Sequence, residues 1–240
     1  MPTCEIFIPA YQAAATLEAV IERIPDALWD SLSSVRVIND GSTDDTDTVV
    51  RGIAEKHPKV LLHSEPENHG YGAAVRRGLR LALEGPAEYV VCLHADGQYP
   101  PEKLPEFLPY MQAHGIDVLQ GSRHKEGTAR AGGMPLYKVA AGHILTWLEN
   151  KTFGLEMTDY HSGFMLYSRK AVEQIPFDRL STYFDFDLEV IASARARGLT
   201  VAEQGIPTRY ADEESHLNPI WYGLRCLRVM LRYRLGAYRP

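Results

Sequence analysis

The stretch Tyr89-Val90-Val91-Cys92-Leu93-His94-Ala95-Asp96-Gly97-Gln98 decides how this chain is read. Its first five residues form an apolar, β-prone run of the kind that makes a buried strand. An imidazole, a carboxylate and an amide follow where the run ends. Such groups on a rigid support give a divalent cation several ligand atoms, and a cation there can be held against a diphosphate.

Outward from this stretch, strand-like apolar runs alternate with helical patterns. Strands are expected at 4–8, 35–38, 60–63 and 89–93, and helices at 16–24, 43–56, 73–83 and 102–113. That rhythm, with Gly, Pro, Asn and Asp in the turns, implies an α/β fold: a mostly parallel sheet covered by helices on both faces. Ligands of such sheets bind beyond the carboxyl ends of the strands. Ser42 and Asp45 have the spacing of a capping box that opens the second helix. Beyond residue 115 the pattern loosens. A Gly-rich loop at 121–135 carries Arg123, Lys125 and Arg130 and reads as mobile. A helix at 136–149, a strand at 164–167, a helix at 187–197, a strand at 201–206, a polar loop at 210–216 and a last helix from Pro219 follow.

With 240 residues, 45% hydrophobic and 23% charged, the chain can bury one substantial core. A single domain over 1–240 is expected, with a regular half at 1–115, a looser half at 116–217 and a C-terminal amphipathic basic helix at 218–240. Cys4, Cys92 and Cys226 are odd in number and widely spaced, so neither a disulfide framework nor a structural zinc site is indicated. The chain opens directly on a strand pattern and no apolar run is long enough to cross a bilayer, which implies a cytoplasmic protein. A net charge of -6 argues against broad nucleic-acid binding. The charge is uneven, however: Arg225, Arg228, Arg232, Arg234 and Arg239 crowd the last segment, where Ile220, Leu224, Leu227, Leu231 and Leu235 recur at helical spacing. Most such helices pack on their own domain, but a basic amphipathic end also suits peripheral contact with the inner face of a membrane.

Four motifs fall at strand ends or in the loops after them. They are Pro9-Ala10-Tyr11, Asn39-Asp40-Gly41-Ser42, the loop from Glu67 to Ala74, and the run from His94 to Pro101. An aspartate at a strand end can accept the imide N–H of uracil or the N–H pair of guanine, and a tyrosine can stack on the base. Glycines at a helix start let backbone approach a ligand closely. Each motif alone also fits a turn, a cap or a flexible loop. Their order is far harder to obtain by chance.

That order, with I-P-A-Y at 8–11, N-D-G-S at 39–42, N-H-G-Y-G-A-A at 68–74, A-D-G-Q-Y-P-P at 95–101, G-S-R at 121–123 and S-G-F at 162–164, resembles the family-2 glycosyltransferases of GT-A (Rossmann-like) fold. The nearest pattern is the polyprenyl-phosphate (dolichol-phosphate) mannosyl- and glucosyltransferase branch. The resemblance implies an inverting transfer of a hexosyl unit from a UDP- or GDP-sugar, assisted by Mg²⁺ or Mn²⁺, to a polyprenyl phosphate or related lipid-linked acceptor. It also implies roles, with a nucleotide-binding half at 1–115 and an acceptor half at 116–217. Pro9, Tyr11 and Asp40 contact the nucleoside, with Gly70 and Ala73 beside the nucleotide. Asp96, Gln98 and His94 are the metal candidates. Arg209 reaches the diphosphate, Arg123 and Lys138 grip the acceptor phosphate, and Asp187, ahead of Asp185, is the general-base candidate. The chain departs from the family at His94, where an acidic residue is usual, and at Ala13, where a Glu is usual. An imidazole carries less negative charge, so His94 either ligates as a softer donor or hydrogen-bonds the diphosphate. Transfer to a hydroxyl of a soluble or polysaccharide acceptor, and a non-catalytic nucleotide-sugar-binding module, are the alternatives. The oligomeric state is not legible in the sequence.

Overall fold

The computed structural model describes residues 1–125, 136–207 and 218–240, with 136–141 described by backbone alone. Seven strands make one sheet: β1 (Cys4–Ala10), β2 (Leu32–Asp40), β3 (Val60–Glu65), β4 (Tyr89–Cys92), β5 (Val118–Ser122), β6 (Met165–Ser168) and β7 (Val201–Gly205). Their order is β3-β2-β1-β4-β6-β5-β7. All pairings are parallel except those of β6, which runs antiparallel to β4 and β5. The helices are α1 (Leu17–Glu22), α2 (Asp26–Trp29), α3 (Thr46–Lys56), α4 (Tyr71–Ala82), α5 (Leu104–His114), α6 (Leu136–Phe153), α7 (Arg169–Gln174), α8 (Phe186–Ala196) and α9 (Pro219–Arg234).

Central strand β1 is almost wholly buried, as a strand covered on both faces must be. Alternate residues point to opposite faces, so Ile6 and Ile8 join a core with Leu17, Val50 and Phe107, while Phe7 joins a second core with Val75, Leu79, Ile191 and Val229. The first core lies under α1, α3 and α5 and the second under α4, α8 and α9. This arrangement leaves the carboxyl ends of β1, β2 and β4 side by side.

The structure corrects the sequence expectations in four places. Ser42 and Asp45 form no capping box. Asp45 precedes α3 without a side-chain cap, and Asp44 instead accepts from the Thr46 N–H (3.1 Å) and hydroxyl (2.5 Å), while Ser42 Oγ accepts from the Gln12 N–H. Strand β5 was not expected, because Gly121 and Ser122 open the stretch read as a Gly-rich loop. Gln120, Gly121 and Ser122 are all buried, and the Gln120 amide donates to the Ser162 carbonyl at 2.7 Å, which satisfies a polar group inside the core. The remainder of the expected mobile loop, 126–135, and the whole polar loop at 210–216 lie outside the described residues. Helices α2 and α7 also escaped the sequence reading, being only four and six residues long.

The fourth correction concerns α9. Its buried residues are Cys226, Val229 and Met230, whereas Ile220, Leu224, Leu227, Leu231 and Leu235 are 47–76% exposed. The basic stripe is divided too. Arg225 pairs with Asp185 (2.9 Å) and lies over the Tyr183 ring, and Arg232 pairs with Glu189 (2.5 Å), so both fasten α9 to α8 and the residues before it. Arg228, Arg234 and Arg239 remain exposed. Among the described residues no helix is long and apolar enough to cross a membrane.

Candidate functional site

At the carboxyl edge of β1 and β2 a cleft of about 540 Å³ opens, lined by Pro9, Ala10, Tyr11, Asp40, His69, Gly70, Tyr71 and the segment Thr182-Tyr183-Phe184, among others. The tertiary structure therefore brings Pro9, Tyr11, Asp40 and Gly70 to one wall. Tyr11 is 52% exposed and free to meet a planar ligand. Asp40 is buried, and its carboxylate accepts from the N–H groups of His69 (3.0 Å) and Gly70 (2.8 Å), tying the loop after β3 to the end of β2. Gly41, at φ +69°, makes this turn possible, since a Cβ there would stand 2.5 Å from the Asn68 nitrogen. Two of the first N–H groups of α4 are already engaged: that of Gly72 goes to the Thr182 carbonyl and that of Ala73 to the Gly70 carbonyl. Gly70 thus shapes the cleft wall. Ala73 lines a neighbouring hollow of about 210 Å³ that also holds Arg76, Arg77 and Arg80.

Asp96 and Gln98 stand one strand further along, beyond β4, which pairs with β1. Both are half-buried. Asp96 Oδ1 accepts the Gln98 N–H at 2.9 Å, a turn that Gly97 completes at φ +73°. The Arg23 guanidinium braces it, donating to the carbonyls of Gly97 (2.7 Å) and Tyr99 (3.2 Å) while paired with Glu102. The turn thus fixes the Asp96 carboxylate, and with the Gln98 amide oxygen it offers donors of the kind that suits Mg²⁺ or Mn²⁺.

His94 is placed differently from Asp96. Its Nε2 lies 3.2 Å from the Tyr71 hydroxyl, which donates to Asp187 Oδ2 at 2.9 Å. The imidazole also packs edge-on against Tyr99, whose hydroxyl accepts the Gly163 N–H. A Cβ on Gly163 would fall 2.5 Å from the His94 ring, so only glycine fits. Burial lowers the pKa of His94 below the ordinary value, against the pull of Asp96, so the ring is neutral. Asp187 lies behind Tyr71, outside the lining of the cleft, and its Oδ1 has no hydrogen-bond partner among the described residues. Burial pushes its carboxyl up to about 7, opposed by the Tyr71 hydrogen bond. The other base candidate, Asp185, is occupied by Arg225 and the Ser181 hydroxyl.

Arg123 follows β5. Its guanidinium lies 3.6 Å from the buried Asp159 carboxylate and donates to the His161 carbonyl, and its charge acts on both His94 and Tyr99. It thus stands on the same side as the β4 turn. Lys138 belongs to α6 by its backbone, and its side chain, like all of Arg209, lies outside the described residues. Sequence reasoning missed Tyr71, Gly163 and the aromatic pair Tyr183-Phe184. Two of these sit inside quoted motifs, N-H-G-Y-G and S-G-F, but only the fold reveals that they meet.

Residues 5–176 match the family described as glycosyl transferase family 2. The low-salt glycan biosynthesis hexosyltransferase Agl6 of Haloferax volcanii is 30% identical over 232 residues, covering 96% of this chain and 53% of that protein. The dolichyl-phosphate beta-glucosyltransferase ALG5C of Trichomonas vaginalis is 30% identical over 199 residues, covering 80% of this chain and 56% of its own length. The chain thus spans about half the length of these two curated relatives. Among solved structures, glucosyl-3-phosphoglycerate synthase from Mycobacterium tuberculosis, in complex with Mn²⁺ and UDP-glucose, is similar at a TM-score of 0.70 and 22% identity, over 100% of this chain and 80% of that one.

Proposed function

The chain belongs to glycosyl transferase family 2, and from that premise we propose that it moves a hexosyl unit, with inversion, from a UDP- or GDP-sugar to a polyprenyl phosphate or related lipid-linked acceptor. The observation that carries this reading is the gathering of Pro9, Tyr11 and Asp40 on one cleft, with Asp96 and Gln98 on the neighbouring strand end. The nucleoside lies in the cleft against Tyr11. Asp96 and Gln98 would hold a divalent cation, which supplies Lewis-acid neutralisation of charge on the leaving diphosphate. His94 is engaged with Tyr71, so it acts as a positioning residue that fixes the strand end from which Asp96 projects. Arg209 adds positive charge to the diphosphate, and Arg123 and Lys138 hold the acceptor phosphate.

The acceptor follows from acid–base chemistry. A hydroxyl nucleophile must lose its proton during attack, whereas a phosphate is already anionic at neutral pH. Neither base candidate is open to the cleft: Asp187 is screened by Tyr71 and Asp185 is ion-paired. This favours the anionic acceptor. The dolichyl-phosphate specificity in the name of the Trichomonas relative points the same way. The exposed apolar row on α9, with Ile144 and Trp147 of α6 also exposed, supplies a surface for the inner face of a membrane, where such an acceptor resides.

The test is transfer of radiolabelled hexose from UDP- and GDP-sugars, with and without Mn²⁺, to undecaprenyl phosphate in vesicles and to free sugars. Metal-dependent label in the lipid phase is expected. Label found only in the aqueous sugar fraction would move the acceptor to a hydroxyl. Nucleotide binding indifferent to metal, with no turnover, would make the protein a binding module.

A further inference from the structure

Behind the Arg123 side of the site, three residues from separate parts of the fold come together, two of them buried and the third partly so. Glu149 comes from α6, His161 from the segment before β6, and Cys226 from α9. One ligand atom from each lies within 4.8 Å of the others. Glu149 is fully buried, yet among the described residues its carboxylate oxygens accept no hydrogen bond, and the group facing them is His161, whose Nε2 likewise makes none and stands 3.5 Å from Oε2. Buried polar atoms are rarely left so, and a group of them aimed at one point calls for a missing partner.

The spacing tells which partner. His161 Nε2 and Glu149 Oε2 are 3.5 Å apart. A histidinium–carboxylate pair closes to about 2.8 Å. Two ligands of a tetrahedral ion with bonds of about 2.0–2.1 Å instead stand about 3.3–3.4 Å apart. The second sphere fits as well. His161 Nδ1 is 2.9 Å from the Tyr222 hydroxyl, so the far side of the ring is engaged and Nε2 is left to face Glu149 and Cys226. Charge balance agrees: a thiolate and a carboxylate cancel a divalent cation, giving a neutral cluster that an apolar interior tolerates.

We propose that Glu149, His161 and Cys226 form a binding site for a borderline transition-metal ion, zinc foremost, that ties α9 to α6 and to the segment carrying Gly163. Sulfur and imidazole select such an ion over Mg²⁺, whereas Asp96 and Gln98 offer only oxygen-type donors. Binding exchanges the Cys226 S–H bond for an S–metal bond and releases that proton to solvent, and water completes the fourth position. The cysteine spacing gave no sign of this site because its ligands lie on three separate elements.

The experiment uses the chain without a histidine tag, reduced and dialysed. Elemental analysis is expected to find about one zinc per chain, and X-ray absorption at the zinc edge one sulfur with nitrogen and oxygen neighbours. Cobalt added to metal-free protein should produce a thiolate-to-metal charge-transfer band that saturates at one equivalent and disappears in Cys226→Ser. Glu149→Gln should keep the band and weaken cobalt binding at least tenfold. A folded wild-type protein that takes up cobalt without a thiolate band, a zinc edge with no sulfur, or a band that survives Cys226→Ser would overturn the proposal. None of these readouts depends on sugar transfer.

Discussion

The His94–Tyr71–Asp187 chain couples the strand end that bears Asp96 to the interior of α8 through two hydrogen bonds. Its least ordinary member is Asp187, whose carboxyl burial pushes up to about 7 from an ordinary 3.8. Between those values the folded protein keeps a proton that the unfolded chain has lost. Stability therefore falls as pH rises from about 4 to about 7 and is level above that, by an amount on the order of a few kcal/mol. Denaturant melts of wild type against Asp187→Asn should differ in slope over this window and run parallel above it; parallel curves throughout would refute the assignment. Tyr71→Phe removes one hydrogen bond from each neighbour and leaves the Asp187 carboxylate wholly unpartnered. We expect a loss of about 1–3 kcal/mol in stability, together with weaker Mn²⁺-dependent nucleotide binding as His94 loses its anchor. Gly163→Ala presses a methyl into the His94 ring and should cost about 1–3 kcal/mol. Calorimetry should show weakened metal-linked nucleotide binding here as well.

At the scale of elements, α9 does two jobs with opposite faces. Cys226, Val229 and Met230 seal the second core, and Arg225 and Arg232 fasten the helix through Asp185 and Glu189. The outer face leaves Ile220, Trp221, Leu224, Leu227 and Leu231 in contact with solvent. Because these side chains are exposed and belong to neither core among the described residues, Trp221→Ala with Leu224→Glu should change the melting temperature little. The same pair should reduce co-sedimentation with anionic vesicles by tenfold or more, in line with roughly 1.5–3 kcal/mol per large apolar side chain buried. Equal sedimentation of both proteins would assign the row to some other contact. The loop between β3 and α4 is an element of the same importance, since Asp40 and Gly41 lock it to β2 and so set the width of the cleft.

For the molecule as a whole, the site is an edge, and its parts come from strands that are neighbours in the sheet but distant in sequence. A ligand that bridges the cleft and the β4 turn should therefore stabilise the entire fold. With the correct nucleoside diphosphate and Mn²⁺ at about a hundredfold above Kd, the gain is about 2.7 kcal/mol, or roughly 5–10 °C in melting temperature. Asp96→Asn should abolish the Mn²⁺-dependent part while leaving the metal-independent part, which reports the cleft alone. A shift of equal size in that variant would place the metal elsewhere.

Much of this was legible in the residues. The βα alternation, the two-sided burial of the strands and the four strand-end motifs follow from periodicity and turn chemistry, which act over a few neighbouring residues. The family resemblance rests on the same local words. What periodicity could not carry was the antiparallel β6, the buried polar strand β5, the outward turn of the α9 leucines, and the meeting of Tyr71 with His94 and Asp187 or of Glu149 with His161 and Cys226. Each depends on long-range packing: which face of an element is buried is decided by what lies against it, and a side chain's chemistry by the groups that the folded chain brings to it from elsewhere.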